Sequence, residues 1–171
     1  MNNAYTILQM IEFHPPKDYK PGIISRLLRE SYEGLKENKD LNWDQFSQTF
    51  DEFDMEVFSD EDVANCTFIT TEDGIPIGLG SFDPRQRPAY GDIGHNCVIP
   101  SAKGKGYGRM QIQEILRRLR GRGIKKARVS TGTGSFAAPA RKMYESCGFI
   151  KTRTFAGDWS EDMVEYELQL S

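Results

Sequence analysis

Apolar and polar positions along the chain change period several times, and each change marks a predicted element. "YTILQMIEF" (5–13) is a mostly apolar run of strand length. In "GIISRLLRESYEGLKE" the residues Ile24, Leu27, Leu28 and Leu35 fall at helical spacing. Phe46, Phe50 and Phe53 do the same in "NWDQFSQTFDEF", where Asn42 is placed to cap the helix. "NCTFITTEDGIPIGLGSF" reads as two strands around a turn at Glu72 to Gly74, and "YGDIGHNCVI" as another strand, stopped by Pro100. Ile112, Ile115, Leu116 and Leu119 then form an amphipathic helical stripe. "KKARVST" is a short strand. "APARKMYESCGF" is a helix with Pro139 in its first turn and Gly148 at its end. "KTRTF" and "DMVEYELQL" close the chain as strands, the second alternating Val164, Tyr166, Leu168 and Leu170 on one face. Strands and helices interleaved in this order predict a mixed α/β protein.

Composition narrows the class. A chain of 171 residues suits one domain, and 38% apolar with 27% charged residues is ordinary for a globular protein. Cys66, Cys97 and Cys147 are odd in number and widely spaced, and His14 and His95 lie far apart. Neither a disulfide framework nor a metal site is expected. The N-terminus lacks a basic start followed by a long apolar run, and no stretch approaches a membrane span, so the expectation is a cytoplasmic protein with no membrane partner. The net charge of −3 conceals a segregation. Glu30 to Asp62 holds twelve acidic residues and two lysines, whereas Lys103 to Arg128 holds ten basic residues and one acid, Glu114. Such segregation suits two kinds of ligand, or two solvated helical faces.

The stretch "CVIPSAKGKGYGRMQ" carries the chemistry. Glycines between a strand and a helix let successive backbone N–H groups converge on one point, and the helix dipole adds positive potential there. Lys103, Lys105 and Arg109 add full charges. The site is therefore expected to bind an anion. The dinucleotide template needs glycine where Arg109 stands, and the P-loop template occurs nowhere.

"VIPSAKGKGYG" resembles the acetyl-CoA signature of the GNAT superfamily of N-acetyltransferases: Arg or Gln, two residues, Gly, one residue, then Gly or Ala. Lys103, Gly106 and Gly108 occupy those places, with lysine for the usual first residue. "APARKMYESCGF" resembles the family's later helix, with Ala140, Tyr144 and Gly148–Phe149 in matching positions. The resemblance runs from about Asp92 to Phe149. It implies a single-domain GNAT-like α/β fold over 1–171, with a mixed twisted sheet of about seven strands flanked by about four helices. A splayed pair of parallel strands would lie at the cofactor site. Residues 92–149 would form the acetyl-CoA-binding core and 1–62 the acceptor side.

The resemblance further implies that acetyl-CoA is the co-substrate, without metal. Its pyrophosphate would lie on the amides of Gly104, Lys105, Gly106, Tyr107 and Gly108, near Lys103 and Arg109. Its pantetheine arm would run beside the strand ending at Ile99, with Val98 as main-chain partner. Ala137 stands where the family often has asparagine, and Ser135 or Thr133 would replace its hydrogen bond. The amide of Asn96 would bind the thioester oxygen, and Tyr144 would protonate the departing sulfur. Asp92 or His95 would take the amine's proton. Strand alternation puts Asp92 with Asn96 on one face and His95 on the other, unless a bulge intervenes. Cys97 is read as a small buried residue rather than an acyl acceptor.

The acceptor is expected to be a cationic small-molecule or peptide amine drawn to the acidic segment, with Phe46, Phe50 and Phe53 as core. The oligomer would be a monomer or homodimer. A non-catalytic acyl-CoA sensor is the alternative. Nucleic-acid binding through "RRLRGRGIKKAR" is disfavoured by the acidic half of the chain.

Overall fold

A computed structural model describes residues 9–171. Its seven strands are β1 (Ile11–His14), β2 (Thr67–Glu72), β3 (Ile75–Asp83), β4 (Gly91–Val98), β5 (Lys126–Gly132), β6 (Ile150–Phe155) and β7 (Met163–Gln169). They form one sheet in the order β1-β2-β3-β4-β5-β7-β6. Every neighbouring pair is antiparallel except β4 and β5. Five α-helices flank it: α1 (Ile23–Tyr32), α2 (Trp43–Ser59), α3 (Glu61–Asn65), α4 (Tyr107–Gly121) and α5 (Ala138–Ser146). The mixed α/β architecture and the seven strands agree with the sequence reading. Part of the first predicted strand, from Tyr5, falls outside the described residues.

Three local differences have physical causes. The helical period of α2 continues through Asp54 and Val57, so it runs past Phe53. Asp60 then caps the short α3 by accepting from the amides of Asp62 and Val63, which supplies the fifth helix. The first predicted helix stops at Tyr32 and tightens into a 3-10 segment over Glu33–Glu37. There a Cβ on Gly34 would stand 3.1 Å from the ring of Phe136.

Each sheet face has its own core. Phe68, Phe82, Ile93 and Val129 pack against Ile112, Ile115 and Leu119 of α4 on one side. Ile69, Leu79 and Cys97 pack against Ile24, Leu27, Leu28 and Phe50 of α1 and α2 on the other. The two charged segments lie largely outside these cores. Asp44, Asp51, Glu52 and Glu56 are exposed on the outer side of α2, while Arg117 and Arg118 pair with Glu114 on α4. Among the described residues, no helix is long and apolar enough to cross a membrane.

Asp54 is the buried exception in the acidic segment. α1 begins at Gly22 without a cap of its own. Asp54 reaches from α2 to accept from the amides of Gly22 (2.8 Å), Ile24 (2.9 Å) and Ser25 (3.1 Å). A carboxylate at a helix N-terminus satisfies unpaired donors and complements the dipole. This contact ties α1 to α2 and so positions Tyr32 at the other end of α1. Asp54→Ala is expected to lower unfolding stability by about 2 kcal/mol. An unchanged midpoint in denaturant would show that water replaces the carboxylate without cost.

Candidate active site

β4 and β5 pair only over Gly91↔Ala127, Asp92↔Arg128 and Ile93↔Val129, then separate. A cleft of about 1150 Å³ opens at the separation. On the other edge of β4, Ile99 N–H donates to Ile77 O at 2.8 Å. In an antiparallel ladder every second residue bonds to the same neighbour. Cys97 and Ile99 therefore turn their amides toward β3, while Asn96 and Val98 turn theirs into the gap. Ile99, expected among the cofactor-binding residues, has its amide bonded to Ile77 O and its carbonyl accepting from Ala102.

A bulge shapes the same strand. Gly80 pairs with Asn96 and Phe82 with Ile93, so β4 carries one residue more than β3 across this span. The His95 amide is satisfied by the Ser81 hydroxyl at 2.8 Å. The extra residue reverses the expected facing. Ile93 points into the α4-side core. The Asn96 carboxamide meets α4, donating to Gly108 O (3.2 Å) and accepting from Gln111 (2.6 Å). His95 points to the other side, its ring centroid 4.9 Å from that of Phe53. Asp92 shares that side, bound to Arg128, whose neighbours Ala127 and Val129 face the α4 core. Asp92 and His95 therefore lie on one face and the Asn96 side chain on the other, the reverse of simple alternation.

Gln111 anchors α4 to the sheet beside the cleft. It is fully buried and donates to Leu79 O, Cys97 O and Asn96 Oδ1 while accepting from Thr70 at 2.7 Å. It fixes the first turns of α4 against β2, β3 and β4. The glycine loop precedes that turn. Gly104 (φ +79°) and Gly106 (φ +85°) occupy left-handed conformations that only glycine adopts at little cost. Among the described residues, none of the amides from Gly104 to Arg109 donates a hydrogen bond within the protein. They form a cradle of unpaired N–H groups at the N-terminus of a long helix, which suits phosphate.

The expected cationic residues divide. Arg109 lines the cleft and donates to Ser146 at 3.1 Å. Lys103 lines it too, but its ammonium donates to Ser31 O (3.3 Å) and lies 5.1 Å from the Phe136 ring. Lys105 turns outward to Glu72 at 3.1 Å. Tyr107 contributes its backbone only, because its ring packs in the core with Ile77, Val98 and Ala102. Ser135 is exposed at a loop tip outside the lining, and the Thr133 hydroxyl is bonded to Asp162 O. Neither replaces the missing asparagine from its present position.

Of the expected catalytic side chains, Tyr144 is buried at the cleft floor. Burial pushes its hydroxyl up to about 12, partly offset by the Asn96 carboxamide, so it remains a proton donor. Asp92 has both oxygens engaged by Arg128, at 2.6 and 3.0 Å. His95 sits among Tyr32, Phe50 and Phe53, and burial pulls its imidazole down to about 4, so it is neutral near pH 7. Burial raises the Cys97 thiol to about 11, which leaves it protonated and unreactive.

The lining residues that escaped the sequence reading include Tyr32, Phe136, Trp159 and Glu161. Tyr32 continues the apolar stripe of Ile24 and Leu28, so its spacing marks it as core and not as cleft lining. The other three lie in connections, where periodicity carries no signal. The only hint was "GDWSEDM", an aromatic and acids beside a glycine.

The Acetyltransferase (GNAT) family model matches residues 35–149. YsnE of Bacillus subtilis (strain 168), an uncharacterized N-acetyltransferase, is 34% identical over 73 residues. That alignment covers 43% of this chain and 48% of YsnE, so about half of the curated relative's length is spanned. A solved GNAT-family structure from Desulfovibrio desulfuricans superposes with a TM-score of 0.74 at 19% identity, over 96% of this chain and 100% of the other. yncA from Salmonella typhimurium, solved with its cofactor acetyl-CoA, gives 0.68 at 18% identity, over 95% and 94%. At these identities the structural likeness is one of fold.

The depressed imidazole makes a prediction. Between about pH 6.5 and the folded value near 4, the unfolded chain binds a proton at His95 that the folded chain refuses. Stability should therefore fall as pH falls through this window, by up to roughly 3 kcal/mol from this group. His95→Phe should remove that part of the slope in urea unfolding measured from pH 7 to pH 4. Parallel slopes for the two proteins would mean that the ring is hydrated in the folded state.

Proposed function

The chain belongs to the GNAT acetyltransferase family, and on that premise we propose that it transfers an acetyl group from acetyl-CoA directly to a primary amine in a ternary complex. The observation that carries this reading is two sets of unpaired backbone donors on one cleft, Asn96 and Val98 on the open edge of β4 and the amides of Gly104–Arg109. An acyl-CoA fits both: a pyrophosphate at the glycine loop, an amide-bearing arm beside Val98 and a thioester at Asn96. When bound, it supplies an activated acetyl group. Residues 92–149 act as the cofactor-binding core and 1–62 as the acceptor side. Three free thiols support a cytoplasmic setting.

The chain's own groups divide the work across the two sheet faces. Lys103 and Arg109 add charge at the phosphate end. The Asn96 amide donates to the thioester oxygen as negative charge develops there, a contribution of roughly 3 kcal/mol to the barrier. Tyr144 holds its proton because of burial and gives it to the departing sulfur. The amine approaches from the α1/α2 face. His95 is the proton acceptor there, since it is neutral and lacks an ionic partner, whereas the Asp92 oxygens are occupied by Arg128. An amine that arrives as its ammonium first loses one proton to water; for the second a weak base suffices, because bonding to the acyl carbon makes the amine nitrogen strongly acidic. Asp92 instead fixes Arg128 and the edge of the cleft.

Release of CoA thiol, followed over a panel of amines, tests the reaction. Tyr144→Phe is expected to lower kcat by roughly a hundredfold while leaving the dissociation constant for acetyl-CoA unchanged. An unchanged kcat would remove Tyr144 from the mechanism, and no thiol release with any amine would overturn the reading as a whole.

A further inference from the structure

On the α1/α2 side the cleft is walled by rings, not by the acidic side chains of that segment. Tyr32 stands at the centre, its ring centroid 5.5 Å from that of Phe50, 6.1 Å from Phe46, 6.1 Å from Phe136 and 6.4 Å from His95. Trp159 extends the wall from the β6–β7 connection, 5.2 Å from Phe46 and still 43% exposed. Asn38 donates to Ser160 at 3.1 Å and ties that connection to the segment after α1. The exposed acids of α2 point away from this chamber, and Asp54 is consumed in capping α1.

Two carboxylates line the cleft. Asp92 is neutralised by Arg128. Glu161 has no cationic partner among the described residues and accepts only from the Gly134 amide. It lies against the end of β5, where a Cβ on Gly132 or Gly134 would collide with its carboxylate. The two glycines thus make room for a carboxylate with no ion-pair partner among the described residues, beside an aromatic wall and on the sheet face that His95 also occupies; the nearby Arg141 guanidinium spends its bonds on the Gly132 and Gly134 carbonyls, at 2.6 and 2.9 Å.

We propose that the acceptor is a primary ammonium carried on an apolar body of aromatic size, with the rings around Tyr32 holding the body and Glu161 holding the charge. This rests on the acetyl-transfer reading and names its substrate class. Aromatic faces attract both flat apolar groups and cations. One free carboxylate matches one ammonium. Polyamines and aminoglycosides would bring further charges into a chamber that offers them no counter-ion, which costs heavily. His95, neutral near pH 7, adds no opposing charge. Of the cations in the cleft lining, Arg109 reaches to Ser146, and the Lys103 ammonium lies at the edge of the chamber, 5.1 Å from the Phe136 ring and bonded to Ser31 O, so the chamber already holds one cation at the end away from Glu161.

The test compares 2-phenylethylamine and tryptamine with spermidine and kanamycin, by CoA thiol release and by calorimetric titration of each amine. The aromatic amines are expected to give kcat/KM at least about tenfold higher. Glu161→Gln, close to isosteric, should raise KM for tryptamine by about tenfold or more and leave KM for acetyl-CoA unchanged. Trp159→Ala should narrow the preference. Preference for spermidine or kanamycin, or an unchanged tryptamine KM in Glu161→Gln, would overturn the proposal while leaving acetyl transfer intact. If no amine releases thiol, the acetyl-transfer reading fails, and calorimetry still decides on the chamber. Tryptamine binding that weakens in Glu161→Gln would support it, and no binding, or equal binding, would overturn it.

Discussion

Separation of β4 from β5 past Ile93 and Val129 governs the rest of the molecule. Adjacent parallel strands would normally exhaust each other's hydrogen-bonding groups, and unpaired backbone amides away from water are expensive. Here the amides of Asn96 and Val98 are left facing a cleft. The strands stay apart because both flanks are held elsewhere. β3 grips β4 from one side, β7 grips β5 along its length, and Gln111 pins α4 to the sheet through four hydrogen bonds. A ligand that lies in the gap can offer the missing acceptors without displacing any protein hydrogen bond. Donors aligned in advance lower the cost of ordering such a ligand.

The bulge in β4 turns this open edge into a site with two distinct sides. One extra residue places Asn96 toward α4 and His95 toward α1 and α2. The polar network around Gln111 and Tyr144 thereby stays with the donor side of the cleft. The aromatic chamber around Tyr32 is reserved for whatever approaches from the other face. Charge is handled in the same divided way. Arg109 stands at the glycine loop, Asp92 is cancelled by Arg128, and Glu161, without an ion-pair partner among the described residues, sits against the end of β5. The segregation visible along the chain therefore does not map onto the two ligands directly. The acidic residues of α2 mostly meet water.

Much of the architecture was legible because it rests on local rules. The stripes at Ile24, Leu27 and Leu28 and at Ile112, Ile115 and Leu119 identify the helices that cover the two faces. The glycines at 104 and 106 mark a left-handed loop whose amides point outward. Lys103, Lys105 and Tyr107 show the limit of such reading. All three sit in the motif, yet their side chains serve Ser31 and Phe136, Glu72 and the hydrophobic core.

What the sequence by itself determined was the seven strands and the main helices, the left-handed glycine loop and the presence of Tyr144 on a helix after β5, because each follows from periodicity or spacing within a few residues. Only the tertiary structure decided which groups meet. The bulge depends on Ser81 accepting the His95 amide from another strand. The occupation of Asp92 depends on Arg128, 36 residues later. The aromatic chamber joins α1, α2 and two connections that share no pattern, and Glu161 gains its place from glycines 27 and 29 residues earlier in the chain. Contacts of that range follow from packing the whole sheet, and no local run of residues encodes them.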